Sequence, residues 1–180
     1  MIRLVSIALL AMLGAGCKPA ASDEYRSPVA KTQPQSGPSD PIASPDTSRS
    51  AWALSADGQR LLYGDSGAPP FFSLGCEDGV LTYTRHASAD PDAKAVLALI
   101  GNGHVERLFV DAEQQGERWV WRGRLPANDP RLEVLTGGRR VEATVPGAGS
   151  IILNPASAPA SFVNACASGL AAPSAPEDPA

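Results

Sequence analysis

The residues best suited to acid–base chemistry are the two histidines, His86 and His104. His86 opens the segment His-Ala-Ser-Ala-Asp-Pro-Asp, in which Asp90 or Asp92 could orient its imidazole as a general base. The same residue types also suit an exposed polar loop, which is the interpretation we favour. His104 follows Gly101-Asn102-Gly103, a turn sequence without the third glycine and following helix of a phosphate-binding loop.

Cys76 and Cys166 are the cysteines to consider as metal ligands. They are far apart in the sequence and share no ligand spacing with either histidine. We therefore expect neither a metal nor a cofactor.

A further candidate nucleophile is Ser66, in the run Gly64-Asp65-Ser66-Gly67. This run resembles the nucleophile loop of chymotrypsin-like proteases, a family that places a histidine and an aspartate before the serine. No histidine precedes Ser66 in this sequence. Gly, Asp and Ser are also common turn residues, so the run predicts a turn, and we expect no enzymatic activity.

Arginines alternate with indoles in the segment that contains Arg118, Arg122 and Arg124. On a strand, this spacing places the arginines on one face and Trp119 and Trp121 on the other. The arginine face has two interpretations. It is either a solvated surface or, joined by two arginines of a neighbouring hairpin, an anion-binding patch for lipopolysaccharide or peptidoglycan carboxylates. The five arginines of that candidate patch are Arg118, Arg122, Arg124, Arg139 and Arg140.

The N-terminus has the pattern of an export signal. Arg3 precedes an uncharged run, Leu4 to Leu13, which is too short for the ~20 apolar residues of a membrane span. The run leads into Gly14-Ala15-Gly16-Cys17, which resembles the lipobox of bacterial lipoproteins. The resemblance implies that residues 1–16 are a signal peptide and that Cys17 is acylated, so that fatty chains hold the protein on a membrane. The alternative is an ordinary secretory signal in which Cys17 is incidental.

Composition divides the rest of the chain. Residues 17–50 and 171–180 are rich in Pro, Ser and Ala, which predicts a disordered tether and a disordered tail around a domain at 51–170. The formal net charge of −4 gives no electrostatic reason to bind nucleic acid. Lys18 after the acylated cysteine resembles the sorting pattern of outer-membrane lipoproteins, which implies a domain that faces the periplasm.

The domain consists of short apolar runs separated by turn residues. The runs pair across Asp57-Gly58, Glu77-Asp78-Gly79, Gln114-Gln115-Gly116 and Gly137-Gly138, and the last of these turns separates 132–134 from 141–145. This pattern predicts a mainly β fold, an antiparallel sandwich or open barrel built of hairpins. Residues 93–100 fit a strand or a helix, and we favour the strand. Residues after Ser157 predict one short C-terminal helix.

With Cys17 acylated, Cys76 and Cys166 remain as a pair. In an exported protein they most simply form a disulfide, although two buried free thiols are the alternative.

The order of residues from Leu74-Gly75-Cys76 to Phe162-Val163-Asn-Ala-Cys166 is similar to that of uncharacterised exported proteins of alphaproteobacteria. That resemblance implies a small disulfide-bonded β domain and brings no activity with it. We expect a non-enzymatic cell-envelope lipoprotein that binds an envelope protein or supports an envelope assembly. The alternatives are a β domain that binds a small ligand or glycan, and, third, an envelope hydrolase.

Overall fold

The computed structural model describes residues 39–169, which form a single nine-stranded antiparallel sheet. The sheet curls into a nearly closed barrel with the strand order β1-β2-β3-β4-β7-β6-β5-β8-β9. The strands are β1 (Ala51–Leu54), β2 (Arg60–Gly64), β3 (Phe72–Glu77), β4 (Val80–Arg85), β5 (Lys94–Gly101), β6 (His104–Gln115), β7 (Arg118–Pro126), β8 (Val141–Thr144) and β9 (Ser150–Leu153). The prediction of a mainly β, antiparallel fold is confirmed.

Period-two alternation sorts the strand residues into an inner and an outer face. The inner residues pack into one core, to which every strand from β2 to β9 contributes at least one buried apolar side chain, among them Leu61, Phe72, Leu81, Leu97, Leu108, Trp121, Val141 and Ile151. The outer face is free of that packing and carries the polar and exposed residues considered below.

Residues 93–100 are a strand, as favoured from the sequence. β5 pairs along its whole length with β6, and the two are joined by Asn102-Gly103. Both turn residues have positive φ, 51° and 86°, the backbone geometry of a tight hairpin between twisted strands. The two strands pair at eight positions, and a helix over this segment would lose that pairing.

The predicted strand at 132–134 is wrong. Pro130–Leu132 is a 3₁₀ turn that runs into a short helix, α1 (Glu133–Thr136). The Asp129 carboxylate accepts from the backbone N–H of Arg131 at 2.9 Å, and Pro130 supplies a helical φ at the first position. Asp129-Pro130 is a helix-start signal, and here it outweighs the hairpin that the apolar residues and Gly137-Gly138 predict.

The predicted C-terminal helix is present as α2 (Ala158–Ala167). Its residues Phe162, Val163 and Cys166 belong to the core. Cys166 and Cys76 of β3 lie at disulfide distance, with Cα atoms 5.7 Å apart and a sequence separation of 90. The pair ties the helix to the sheet.

The packed region begins before the predicted boundary at Ala51. Thr47 and Ser50 are buried, and the Thr47 hydroxyl both donates to the carbonyl of Ile152 and accepts from its N–H, at 2.9 and 3.2 Å. The Tyr63 hydroxyl donates to the same carbonyl, and the Asn154 amide donates to the carbonyls of Thr47 and Ser50. These bonds join β9 to the strands at the other edge of the sheet, so residues 42–50 help to close the barrel.

The predicted signal peptide, the predicted acylation site at Cys17, residues 17–38 of the predicted tether and the predicted tail at 171–180 lie outside the described residues. Between Ser39 and Gly169, neither helix has the length and hydrophobicity that a bilayer span requires.

Candidate functional site

A polar groove crosses the outer face of β2, β3, β4 and β7. We define the polar groove by the outward residues of these strands together with His86 and the turn residues at one end. It has a volume of about 980 Å³ and is open to solvent, at the upper end of the ~300–1,000 Å³ typical of ligand sites. Its principal side chains are Arg60, Ser73, Thr82, Thr84, His86, Arg122 and Arg124, and its floor includes Gly75.

The closest pair of reactive groups in the polar groove is Ser73 and His86. The Ser73 hydroxyl lies 2.8 Å from Nε2 of His86, and Ser73 is 6% exposed. His86 follows the last residue of β4, and its N–H donates to the carbonyl of Phe71, which continues the ladder beyond the strand. The backbone thus fixes the imidazole beside the serine.

Burial and positive charge keep this imidazole neutral. Burial is the larger cause, and the guanidinium groups of Arg122, Arg85 and Arg60 add to it, so that the pKa of His86 falls to about 4. Arg85 points into the barrel, where it donates to the carbonyls of Phe71 and Ala148, and its burial lowers its own pKa to about 10. The potential at His86 is therefore positive.

A second network continues the polar groove across β7. Nε of Arg122 donates to the Thr84 hydroxyl at 3.2 Å, and its Nη1 donates to the Glu113 carboxylate at 3.1 Å. Arg124 donates to both oxygens of the same carboxylate, at 2.8 and 3.2 Å. The hydrogen bond from Arg124 and the two positive charges lower the pKa of Glu113. Two arginines share one carboxylate, so this cluster keeps one net positive charge.

A serine next to a neutral histidine has the parts of a nucleophile and its base. A base becomes an imidazolium when it takes the serine proton, and the three arginines around His86 oppose that charge. The strands β3 and β4 are paired on both sides, so their N–H groups serve the sheet and do not offer an oxyanion site.

The other candidate catalytic residues have separate partners. Asp90 accepts from the backbone and hydroxyl of Ser39, whereas His86 contacts Ser73, so the structure does not bring His86 and Asp90 together as a base and its orienter. His104 lies beside the β5–β6 turn with Nδ1 at 3.9 Å from Glu106. Ser66 is exposed in the loop after β2. Within residues 39–169, no group of three or more His, Cys, Asp or Glu side chains is arranged to hold a metal.

The five predicted arginines occupy three places. Arg122 and Arg124 face the polar groove, and Arg118 lines a neighbouring depression with His86. Arg139 and Arg140 precede β8, which two strands, β6 and β5, separate from β7. The groove instead contains Arg60, which sequence reasoning missed, although its place before the apolar run 61–63 marked an outward position.

A second unusual surface lies on the outer face of β5 and β6. Phe109 is 78% exposed, and Val105 and Ile100 are 54% and 46% exposed. Phe109 pairs across the strands with Val96, and Val105 pairs with Ile100, so these side chains form two neighbouring apolar pairs. We call these four residues the apolar strip. Arg107 lies between the two pairs, opposite Ala98.

No family model, curated protein or solved structure matches this chain.

Proposed function

We propose that the protein is a cell-envelope lipoprotein whose β domain binds another envelope protein without catalysing a reaction. The export leader and the cysteine that follows it support an anchor at Cys17. The Cys76–Cys166 pair supports an oxidising compartment, because cytosolic thiols are kept reduced. In this proposal the domain is tethered to the outer membrane and faces the periplasm.

The apolar strip is the observation that carries the binding role. A phenylalanine that is 78% exposed in the interior of a sheet gains nothing from folding. Covering such a side chain is worth about 1.5–3 kcal/mol, and exposed apolar patches mark interaction surfaces. Aromatic residues and arginine are the residue types that dominate binding energy at interfaces, and Arg107 lies within the strip. The partner that fits is a protein with an apolar surface and an acidic group opposite Arg107.

The test is crosslinking in intact cells. A photoreactive residue in place of Phe109 should capture a discrete protein. A chain with the photoreactive residue in place of Arg107 and an intact Phe109 should capture it too, and adding Phe109→Ser to this chain should abolish capture. Val80→Ser is the matched control, because Val80 is a 37% exposed apolar residue of the same sheet outside the strip. Equal capture by the Phe109→Ser and Val80→Ser chains would refute the binding role of the strip.

The anchor is tested separately. Intact-mass analysis of the membrane-extracted protein should show a start at Cys17 with a diacylglyceryl group. Cys17→Ser should abolish this modification and release the domain from the outer-membrane fraction. A product that begins at Met1 would contradict the proposed anchor and compartment.

A further inference from the structure

Gly75 is a strand glycine that the fold does not require. Glycine in a strand interior is destabilising by roughly 0.5–1 kcal/mol relative to alanine. At Gly123, a Cβ would collide with the carbonyl of Phe109 and the ring of Tyr83, so packing demands glycine there. At Gly75, a Cβ would meet only Cγ of Arg60 at 3.7 Å and Cβ of Thr82 at 3.9 Å, which are ordinary contacts. A glycine in a strand interior often marks a bulge, a barrel corner, or the close approach of a ligand or another backbone, and the pairing at Gly75 is unbroken on both sides, so there is no bulge.

The space that a side chain at Gly75 would occupy lies in the floor of the polar groove. Arg60 is its cross-strand neighbour on β2 and Thr82 its neighbour on β4. Ser73 lies two residues before Gly75 on β3 and is paired with Thr84 of β4. Both residues are at least 94% buried, and both line the polar groove. Side chains that carry hydroxyl or guanidinium groups therefore line the polar groove around a position that has no side chain of its own.

The charges in the polar groove are unevenly distributed. Arg60 and Arg122 add to the positive potential at the His86 imidazole, although Arg60 lies opposite Gly75 and also acts on the carboxylate of Asp57. At the end away from His86, the β1–β2 turn, the end of β3 and the β3–β4 turn contribute the carboxylates of Asp57, Glu77 and Asp78. Ser73 and Glu77 lie four residues apart on β3, so the two ends are about 13 Å apart at ~3.3 Å per residue. This distribution favours a ligand with one anionic group near the imidazole over a ligand with a second anionic group at the carboxylate end.

We propose that the polar groove binds a small polar ligand with a single oxyanion group, held between Arg60 and Arg122 beside the Ser73–His86 pair, while the body of the ligand lies over Gly75. Arginine donates two parallel hydrogen bonds to a carboxylate or a phosphate equally well, so these two groups share the required chemistry. This site lies outside the apolar strip and does not depend on the partner-binding function.

His86 reports occupancy directly. An oxyanion next to the imidazole stabilises its charged form and must raise the pKa of His86 from about 4. His104 is an internal control, because it lies at the β5–β6 turn outside the polar groove. NMR titration of the two imidazoles in the full chain should therefore show an anion-dependent change at His86 alone.

The probes are acetate, inorganic phosphate and the neutral sugar N-acetylglucosamine, each raised to about 100 mM, where a site with a Kd of ~1 mM is saturated. A His86 shift with acetate assigns a carboxylate ligand, and a shift with phosphate assigns a phosphate ligand. A shift with neither anion, or an equal shift with the neutral sugar, would overturn the proposal.

Three variants locate the site. Gly75→Leu should fill the space above Gly75 and weaken binding of the anion that shifts His86, with a Kd at least about 10-fold higher. Arg60→Gln should raise the Kd for this anion by a similar factor. Gly138→Leu is the matched control, because a Cβ at Gly138 meets nothing within 4 Å and the residue lies outside the groove. Anion binding that survives Gly75→Leu unchanged would place the anion elsewhere and overturn the site.

Discussion

Acid should destabilise this protein through His86. In the folded state burial and the nearby arginines lower the pKa of His86 to about 4, whereas its unperturbed value is 6.5. As the pH falls from 6.5 towards 4, His86 binds a proton in the unfolded chain but stays neutral in the folded chain. The free energy of unfolding therefore decreases with falling pH. Below about pH 4 both states are protonated and this contribution becomes constant.

The size of the effect follows from the interval. Each unit of pKa difference corresponds to about 1.4 kcal/mol, so the interval from 6.5 to about 4 gives an upper limit of about 3.5 kcal/mol. His86 is only partly buried, and solvent screening reduces the expected loss to about 2 kcal/mol between about pH 7 and pH 4.5. Several carboxyls with lowered pKa, such as Asp129 and Glu113, lose their contributions mainly below this interval because their unperturbed values are 3.8 and 4.5.

The assay is urea unfolding of the full chain at both pH values. His86→Gln keeps an amide within reach of the Ser73 hydroxyl but cannot titrate, so it should lose about 2 kcal/mol less than the wild type on acidification. His104→Gln should behave as the wild type does, because His104 lies beside an exposed turn. If His86→Gln and the wild type lose the same stability over this interval, the inferred environment of His86 is incorrect.

Three further predictions concern stability and are measured by denaturant or thermal unfolding. Replacing Cys76 and Cys166 by serine should cost about 4–5 kcal/mol, since the bridge closes a 90-residue loop, and an unchanged midpoint would contradict a formed disulfide. Gly123→Ala should destabilise the protein by about 1–3 kcal/mol, because its methyl group would meet the Phe109 carbonyl and the Tyr83 ring. Gly75→Ala should leave the stability unchanged or raise it slightly. Equal effects of the two substitutions would refute the contrast between the two glycines. Tyr63→Phe should cost about 1–3 kcal/mol, since its hydroxyl donates to the Ile152 carbonyl at 2.7 Å where the barrel closes, and a loss below about 0.5 kcal/mol would show that this bond is dispensable.

The hairpins could be predicted from the sequence because their signals are local. Asp78-Gly79 and Asn102-Gly103 supply the positive φ values that tight turns need, and the apolar runs beside them alternate with period two. The helical turn at Pro130 was missed although its signal was equally local, because the Gly137-Gly138 pair suggested a hairpin more strongly. The role of Thr47 could not be predicted, since a buried threonine in a segment rich in Pro and Ser has no pattern until its partner Ile152 is known.

The candidate sites were harder to predict because they depend on strand order. Arg122 was correctly placed on an outward face, but its nearest partners come from strands that the sequence could not order. The link between β4 and β7 bypasses two strands, and it is this link that brings Thr84 next to Arg122. Ser73 and His86 come together because β3 and β4 form a hairpin in which Ser73 lies opposite Thr84, two residues before His86. A register that places one residue beside another cannot be read from the composition of either strand.

Core packing constrains the residues of the outer face of this barrel least. Where that face departs from an ordinary solvated surface, the departure needs another cause. The core explains why Gly123 is glycine and why Tyr83 is buried, since each fits against the other. It explains neither the free space above Gly75 nor the 78% exposure of Phe109, since filling the first or replacing the second with a polar residue would leave the inner packing intact. A glycine that lowers strand stability and an aromatic ring left in water each oppose stability or solubility. Both features fit the proposed occupants of the two surfaces, a ligand above Gly75 and a protein partner against Phe109.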